Sequence, residues 1–255
     1  SVGDVVRVQG VVAEAYNQTH LSSIVTATVC SSTGITVTPA SIDLPVADVA
    51  DLEAFEGMLV TVPETLYVTE LYSLGRYGEV ALSADARIMQ PTQVITPGQP
   101  AIDMQAANDR SRILLDDGSN LQNPATVPYI APDNILRGGD TVIGLTGVLG
   151  YGFSVYRIQP TGPITFTEAN PRTPAPDAVG GTLKVSSFNV LNYFNGDGQG
   201  GGFPTSRGAN TAVEFDRQRT KIITAMLAID ADIVGLMEIE NDGYDQFSAI
   251  ADLVS

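Results

Sequence analysis

The chain has 255 residues, is 44% hydrophobic and 7% aromatic, and carries a formal net charge of −16. This is globular composition, which excludes disordered and fibrous classes, and no run of about 18 apolar residues marks a membrane span. The charge comes from 19 Asp and 10 Glu against 11 Arg and 2 Lys, so a general DNA-binding module with a basic face is disfavoured.

A strongly acidic surface suits a salty or extracellular medium. It is also compatible with an enzyme in which divalent cations and a few arginines meet phosphate locally. Cys30 is the single cysteine and His20 the single histidine. No internal disulfide is available, and His20, in "NQTHLSS", reads as an ordinary polar strand or loop residue. Ser1 is not an initiator methionine, and "VGDVVRVQGVV" opens as a strand already in progress. The reading therefore expects a longer precursor with any export signal upstream, and a secreted or cell-surface location.

From the start to residue 168, short β-branched segments alternate with Gly, Pro, Asp and Asn turns: "VRVQGVVAEA", "GITVTPASI", "MLVTVPETLYVTEL", "GEVALSADARIM" and "DTVIGLTGVLG". Strands at this spacing without a long helical period predict small barrels or sandwiches. "GDVVRVQGVV" (3–12) echoes "GDTVIGLTGVL" (139–149), and each is followed by a Tyr-containing turn and another strand. The echo predicts two related β-modules, a partial one over 1–50 and a second over 51–168. A Gly inside such a strand marks a bend or bulge. "FTEANPRTPAPDAVGG" has the composition of a linker, which places a boundary over 169–181.

Over 182–255 the grammar changes. "TLKVSSFNVLNYF" predicts a strand, "NGDGQGGGFPTSRGANT" a Gly-rich loop, and "AVEFDRQRTKIITAMLAID" a helix with Phe215, Ile222, Met226 and Ile229 on one stripe. "ADIVGLM" predicts a second strand, and "YDQFSAIADLVS" a second helix with Phe247, Ile250 and Val254 on one side. Strand, helix, strand, helix is a parallel βαβα arrangement.

The two strands then end at one edge, where open α/β sheets bind ligands. Asn189, Asn192 and Glu238 stand at those tips. An amide oxygen beside a carboxylate is a hard, oxygen-rich pair that suits Mg²⁺; a strand that simply ends in solvated polar residues has the same pattern. Glu240 and Asp242 read as solvated loop residues. In "NGDGQGGG", Asn195, Asp197 and Gln199 alternate as in a Ca²⁺ loop, but Ser206 stands where the closing Glu belongs. A flexible rim loop fits better. Arg207 is either a phosphate contact or a surface ion pair. In the β-region, 8 Arg and no Lys face 19 acids, a poor groove for single strands. Tyr16, Tyr67, Tyr72, Tyr77 and Tyr151 suit packing better than base stacking.

"KVSSFNVLNYF" together with "RGANTAVEFDRQRTKIITAMLAIDADIVGLMEIEND" resembles the opening of the endonuclease/exonuclease/phosphatase superfamily, the DNase I-like fold. More narrowly, it resembles secreted bacterial nucleases that carry this domain behind OB-like modules. "FEGMLVTV" (55–62) and "GRYGEVALS" (75–83) extend the likeness into the β-region.

The resemblance implies a mixed fold: N-terminal all-β OB-like barrel modules, the first incomplete, then the first βαβα part of a DNase I-like α/β sandwich. It implies that Glu238 binds the essential divalent ion, Mg²⁺ with Mn²⁺ or Ca²⁺ as alternatives. Asn189 would share the metal and phosphate site; Asn192 and Arg207, from their positions at the tip and in the loop rather than from the resemblance, are candidate substrate-phosphate contacts. The family's later motifs, an Asp-x-Asn pair and a His with its Asp, have no counterpart here. The expectation is thus a chain holding the metal end of the site without the water-activating end. The function implied is an extracellular, metal-dependent nuclease acting on DNA, with RNA as an alternative substrate. Two other readings stay open: a phosphatase or phospholipase-type phosphodiesterase of the same superfamily, and a non-catalytic surface protein whose β-modules bind a partner or glycan.

Overall fold

A computed structural model describes residues 3–32, 34–130 and 135–255; Ser1 and Val2, where the opening segment begins, lie outside them. Two compact units divide the chain, Ser1–Pro171 and Arg172–Ser255.

The first unit begins with β1 (Val5–Ala15) and β2 (Gln18–Ser31), an antiparallel hairpin whose two strands pair only with each other among the described residues. Its turn residues Tyr16 and Asn17 both have positive φ, 57° and 61°, the backbone that a two-residue hairpin turn demands. After the short β3 (Ala40–Ser41) and a 3₁₀ turn over Val49–Phe55, a six-stranded sheet forms. Its members are β3, β4 (Leu59–Glu70), β5 (Glu79–Ala84), β6 (Arg112–Asp116), β7 (Thr141–Gly152) and β8 (Val155–Pro160).

The strand order is β3-β4-β5-β6-β8-β7, and β4 also pairs with β7. Five strands, β4 to β8, therefore close into a barrel. All of its pairings are antiparallel except β6 with β8. Alternation drives the closure: Val60, Val62, Leu66 and Val68 of β4 are fully buried, as are Leu82, Leu115, Leu149 and Ile158. Gly147 allows β7 to meet β8 closely, because a Cβ there would stand 2.3 Å from the Gln159 carbonyl oxygen.

Three helices interrupt this region: α1 (Leu74–Tyr77), α2 (Pro91–Val94) and α3 (Gln99–Ser111). The sequence predicts no helix here, so α3 is a correction. Ala101 is its one buried residue, so it lacks the apolar stripe from which helices are read. "GITVTPASI" is also mostly irregular, with only Ala40–Ser41 paired. The echoed segments are both hairpin strands. The β7–β8 turn repeats the left-handed pair at Phe153 and Ser154, with φ of 52° and 66°.

The second unit contains β9 (Val185–Tyr193), α4 (Ala212–Ile229), β10 (Ile233–Ile239) and α5 (Ala249–Val254). β9 and β10 pair in parallel. Thr211 caps α4 by accepting the Glu214 N–H at 3.2 Å, and Asp230 ends it in the left-handed conformation. Val190, Tyr193, Ile222, Ala249 and Leu253 form the core, with Phe215, Met226 and Leu236 packed on it. α5 starts five residues later than "YDQFSAIADLVS" suggests, since Asp245 builds a turn that accepts the Phe247 N–H at 2.8 Å. Its buried positions are Ala249 and Leu253, while Phe247 and Val254 are exposed. β10 is half-exposed: Ile233 is 54% and Met237 46% accessible.

Candidate functional site

The parallel register aligns Ile233 with Val185 and runs to Met237 opposite Asn189. The next pair is Ile239 with Tyr193. Three residues of β9 thus stand against one of β10, Glu238, and the ladder bulges at its C-terminal edge. The bulge is made by non-glycine residues in the left-handed region: Leu191 at φ 54°, Asn192 at 50° and Glu238 at 61°. Such conformations cost energy for L-residues, and where they cluster they point to function.

The structure brings Asn189, Asn192 and Glu238 to this one edge. Asn189 and Glu238 are exposed, and Asn192 is half-buried. The Asn189 Oδ1 accepts the Leu191 N–H at 2.8 Å, which fixes the amide at the bulge. Arg207 is exposed, and it is the backbone of its neighbour that packs on the tip. Gly208, at φ 85°, lies so close to Asn192 that a Cβ would be 2.3 Å from its carbonyl oxygen. Gln218 of α4 also donates to the Val190 and Leu191 carbonyls at 3.0 and 2.7 Å, tying the helix to the bulge.

The loop after β9 is organised around Asp197, whose Oδ1 accepts from Gln199 and Gly201 N–H groups at 2.8 Å each. These backbone donors hold its carboxyl below the usual carboxylate range.

The two loop acids differ: Asp242 is exposed, as a solvated loop residue should be, whereas Glu240 is not. Asp242 accepts the Ala249 N–H at 2.9 Å, at the start of α5. Glu240 is half-buried; its N–H donates to the Tyr193 carbonyl at 3.1 Å, and its Oε2 has no hydrogen-bond partner. Burial, then the charge of Asp242, push the Glu240 carboxyl up, against a hydrogen bond from the Asn195 backbone. Asn195 is 3% exposed and donates to the Phe247 carbonyl at 2.8 Å, while its Oδ1 is unpartnered. The alternating polar run of a Ca²⁺ loop is the only sequence signal for Asn195; Glu240, expected as a solvated loop residue, is half-buried instead.

Behind the edge, Tyr193 donates to Asp252, and the Arg219 Nε donates to the same carboxylate at 3.1 Å. Burial, followed by this bond to Asp252, raises the Tyr193 phenol above its ordinary range. The Tyr193 ring meets Phe215 edge-on at 5.0 Å.

The two units define a mixed, mostly β chain: a closed five-stranded barrel, and a parallel strand pair with Asn189, Asn192 and Glu238 at its tip. Residues 45–170, which span the barrel, match the model of a family described as a domain of unknown function, DUF8508. No curated protein and no solved structure matches the chain.

Proposed function

We propose that the chain supplies the metal- and phosphate-binding end of an extracellular, divalent-metal-dependent phosphodiester hydrolase, a nuclease acting on DNA. In this reading residues 182–255 are the opening βαβα part of a DNase I-like α/β sandwich. The barrel is OB-like; its single parallel pair, β6 with β8, within a closed five-stranded order supports that. One observation supports the functional reading: Asn189, paired with Met237, and Glu238, at the bulge that follows, stand at the ends of adjacent parallel strands.

The donor set fits Mg²⁺. Among the described residues no group of three or more His, Cys, Asp or Glu could hold a metal, so an ion here rests on few protein ligands. Mg²⁺ accepts that, taking one or two carboxylates and completing its octahedron with water and substrate phosphate. Glu238 would hold it. Asn189 Oδ1 keeps a second lone pair beyond its bond to Leu191 and would share the ion or orient the phosphate. When bound, the ion polarises a phosphoryl oxygen and offsets developing charge. Arg207 and Asn192 would steady the phosphate from the flanking loop.

The test measures Mn²⁺ binding to this chain by calorimetry, and nicking of supercoiled plasmid by the intact protein with Mg²⁺ or Mn²⁺, with and without EDTA, each in wild type and Glu238→Ala; this chain alone, without the water-activating residues, is not expected to nick. Loss of both signals in the variant is expected. Nicking that survives chelation and the substitution would overturn the assignment.

A further inference from the structure

We propose that Gln218 is a positioning residue for the strand-tip site, fixing the Asn189 amide through a single peptide group. This role rests on the proposed function of Asn189 and Glu238 at the metal and phosphate site.

The chain of contacts is short. The Gln218 Nε2 donates to the Val190 carbonyl at 3.0 Å and to the Leu191 carbonyl at 2.7 Å. At the other end of the Val190–Leu191 peptide, the Leu191 N–H donates to the Asn189 Oδ1 at 2.8 Å. One planar peptide group therefore accepts from Gln218 through its oxygen and donates to Asn189 through its nitrogen. Hydrogen bonds in such a series polarise one another, and a rigid peptide plane passes a change of orientation from one end to the other. A residue of α4 thus sets the direction of an amide on β9.

The bulge makes the contact possible. Successive carbonyls of an extended strand point to opposite edges, so one side-chain nitrogen cannot reach two of them. Leu191 at φ 54° and Asn192 at φ 50° break that alternation. The two donors of one amide NH₂ then meet two consecutive carbonyls.

Gln218 orients the bulge; it does not create it. Val190 and Tyr193 are both fully buried, although a regular strand would send residues three apart to opposite faces. Their burial demands a turn between them. It leaves the Leu191 peptide groups unconstrained, because the Leu191 side chain is 69% exposed and adds little packing. Gln218 supplies that constraint. Nor does α4 need Gln218 to dock, since Ile222 is in the core and Phe215 and Met226 pack against it. The Gln218 bond to the Leu191 carbonyl is exposed, so water can replace it when the side chain is removed. Loss of Gln218 should loosen the tip while the unit stays folded.

The experiment is a double-mutant cycle on the full chain: wild type, Gln218→Met, Asn189→Ala and the double variant, with Glu238→Ala as control. Met keeps the length of the side chain and removes both donors. Calorimetry reads Mn²⁺ affinity, and hydrogen exchange followed by NMR reads the Leu191 N–H beside the rest of residues 182–255. Gln218→Met should bind Mn²⁺ about tenfold more weakly, the size of effect seen when the support of a metal ligand is removed. Its Leu191 N–H should exchange faster, with the core amides still protected. In the Asn189→Ala background the same change should cost no further affinity, because the group that Gln218 positions is gone.

Equal Mn²⁺ affinity in wild type and Gln218→Met, with binding still abolished in Glu238→Ala, would overturn this role and leave the metal reading standing. A loss of affinity as large in the Asn189→Ala background, or one accompanied by loss of core protection, would reduce Gln218 to a structural residue and overturn it too. Absence of Mn²⁺ binding in the wild type would remove the metal reading itself, and this role with it.

Discussion

Asn189 stands opposite Met237 in the β9–β10 ladder, one residue before the ladder bulges at Glu238. Glu238 holds a left-handed backbone there, φ 61°, with its side chain exposed. A left-handed L-residue costs roughly 1–2 kcal/mol, whereas glycine in an ordered site loses about 0.5–1 kcal/mol of entropy. Glu238→Gly should therefore leave the second unit as stable or up to about 1.5 kcal/mol more stable, while abolishing Mn²⁺ binding. Hydrogen exchange over residues 182–255 and calorimetry read the two effects separately. A clear loss of protection would show that Glu238 is a structural residue instead.

Glu240 carries a pH dependence of defined sign. Burial and Asp242 raise its folded pKa above the unfolded value, so the folded state binds the proton more tightly. Its favourable contribution is complete below the ordinary glutamate range and is lost as pH rises through the raised value. Glu240→Gln keeps a neutral side chain with an acceptor for the Asn195 N–H. The variant should be more stable than wild type at pH 8, with the advantage vanishing near pH 4. Urea midpoints at the two pH values test it; an advantage that grows on acidification would contradict the assignment.

The edge was legible in the sequence because it depends on local grammar. An apolar run ending on Glu238 and a strand ending through Asn189 specify two parallel tips, and the Phe215, Ile222 and Met226 stripe specifies the helix between them. Barrel closure was legible only as a class, since alternation names strands but not their partners. The pairing of β6 with β8 brings Leu114 to Arg157, a long-range relationship that no local pattern encodes. α3 was missed because its apolar residues form no stripe: only Ala101 is buried, and Ile102 is 61% exposed. Burial of Glu240 was missed because it depends on a loop folding back through Asn195 to Phe247, and the network of Arg157 with Glu79 and Asp116 because its three charges come from three separate strands.

Asp252 joins α5 to the rest of the second unit. It receives the Tyr193 hydroxyl and the Arg219 Nε, and the Arg219–Asp252 pair is about one-third exposed. Fully exposed ion pairs contribute about 0–1 kcal/mol, and a hydrogen bond to a charged group about 1.5–3 kcal/mol. Asp252→Ala should cost roughly 2 kcal/mol and release α5 first. Faster hydrogen exchange over 249–254, with 212–229 still protected, is the expected signature. Uniform loss across the unit would mean that α5 and α4 unfold together.

The strongest stability effect should come from Arg157, which is buried with Glu79 and Asp116. Removing one member of a buried ion network strands the others without compensation and costs about 3–5 kcal/mol. Arg157→Ala should therefore lower barrel stability by that amount. The triple replacement Arg157→Met, Glu79→Gln and Asp116→Asn removes every charge. The Asp116→Asn change also keeps an acceptor for the Gly118 N–H, which is 2.6 Å from the Asp116 Oδ1 in the wild type. Apolar or neutral substitutes for a complete buried network are often neutral in stability, so the triple variant should recover most of the loss. Urea denaturation of the two variants tests it; a triple variant as unstable as Arg157→Ala would show that the charges themselves hold the barrel.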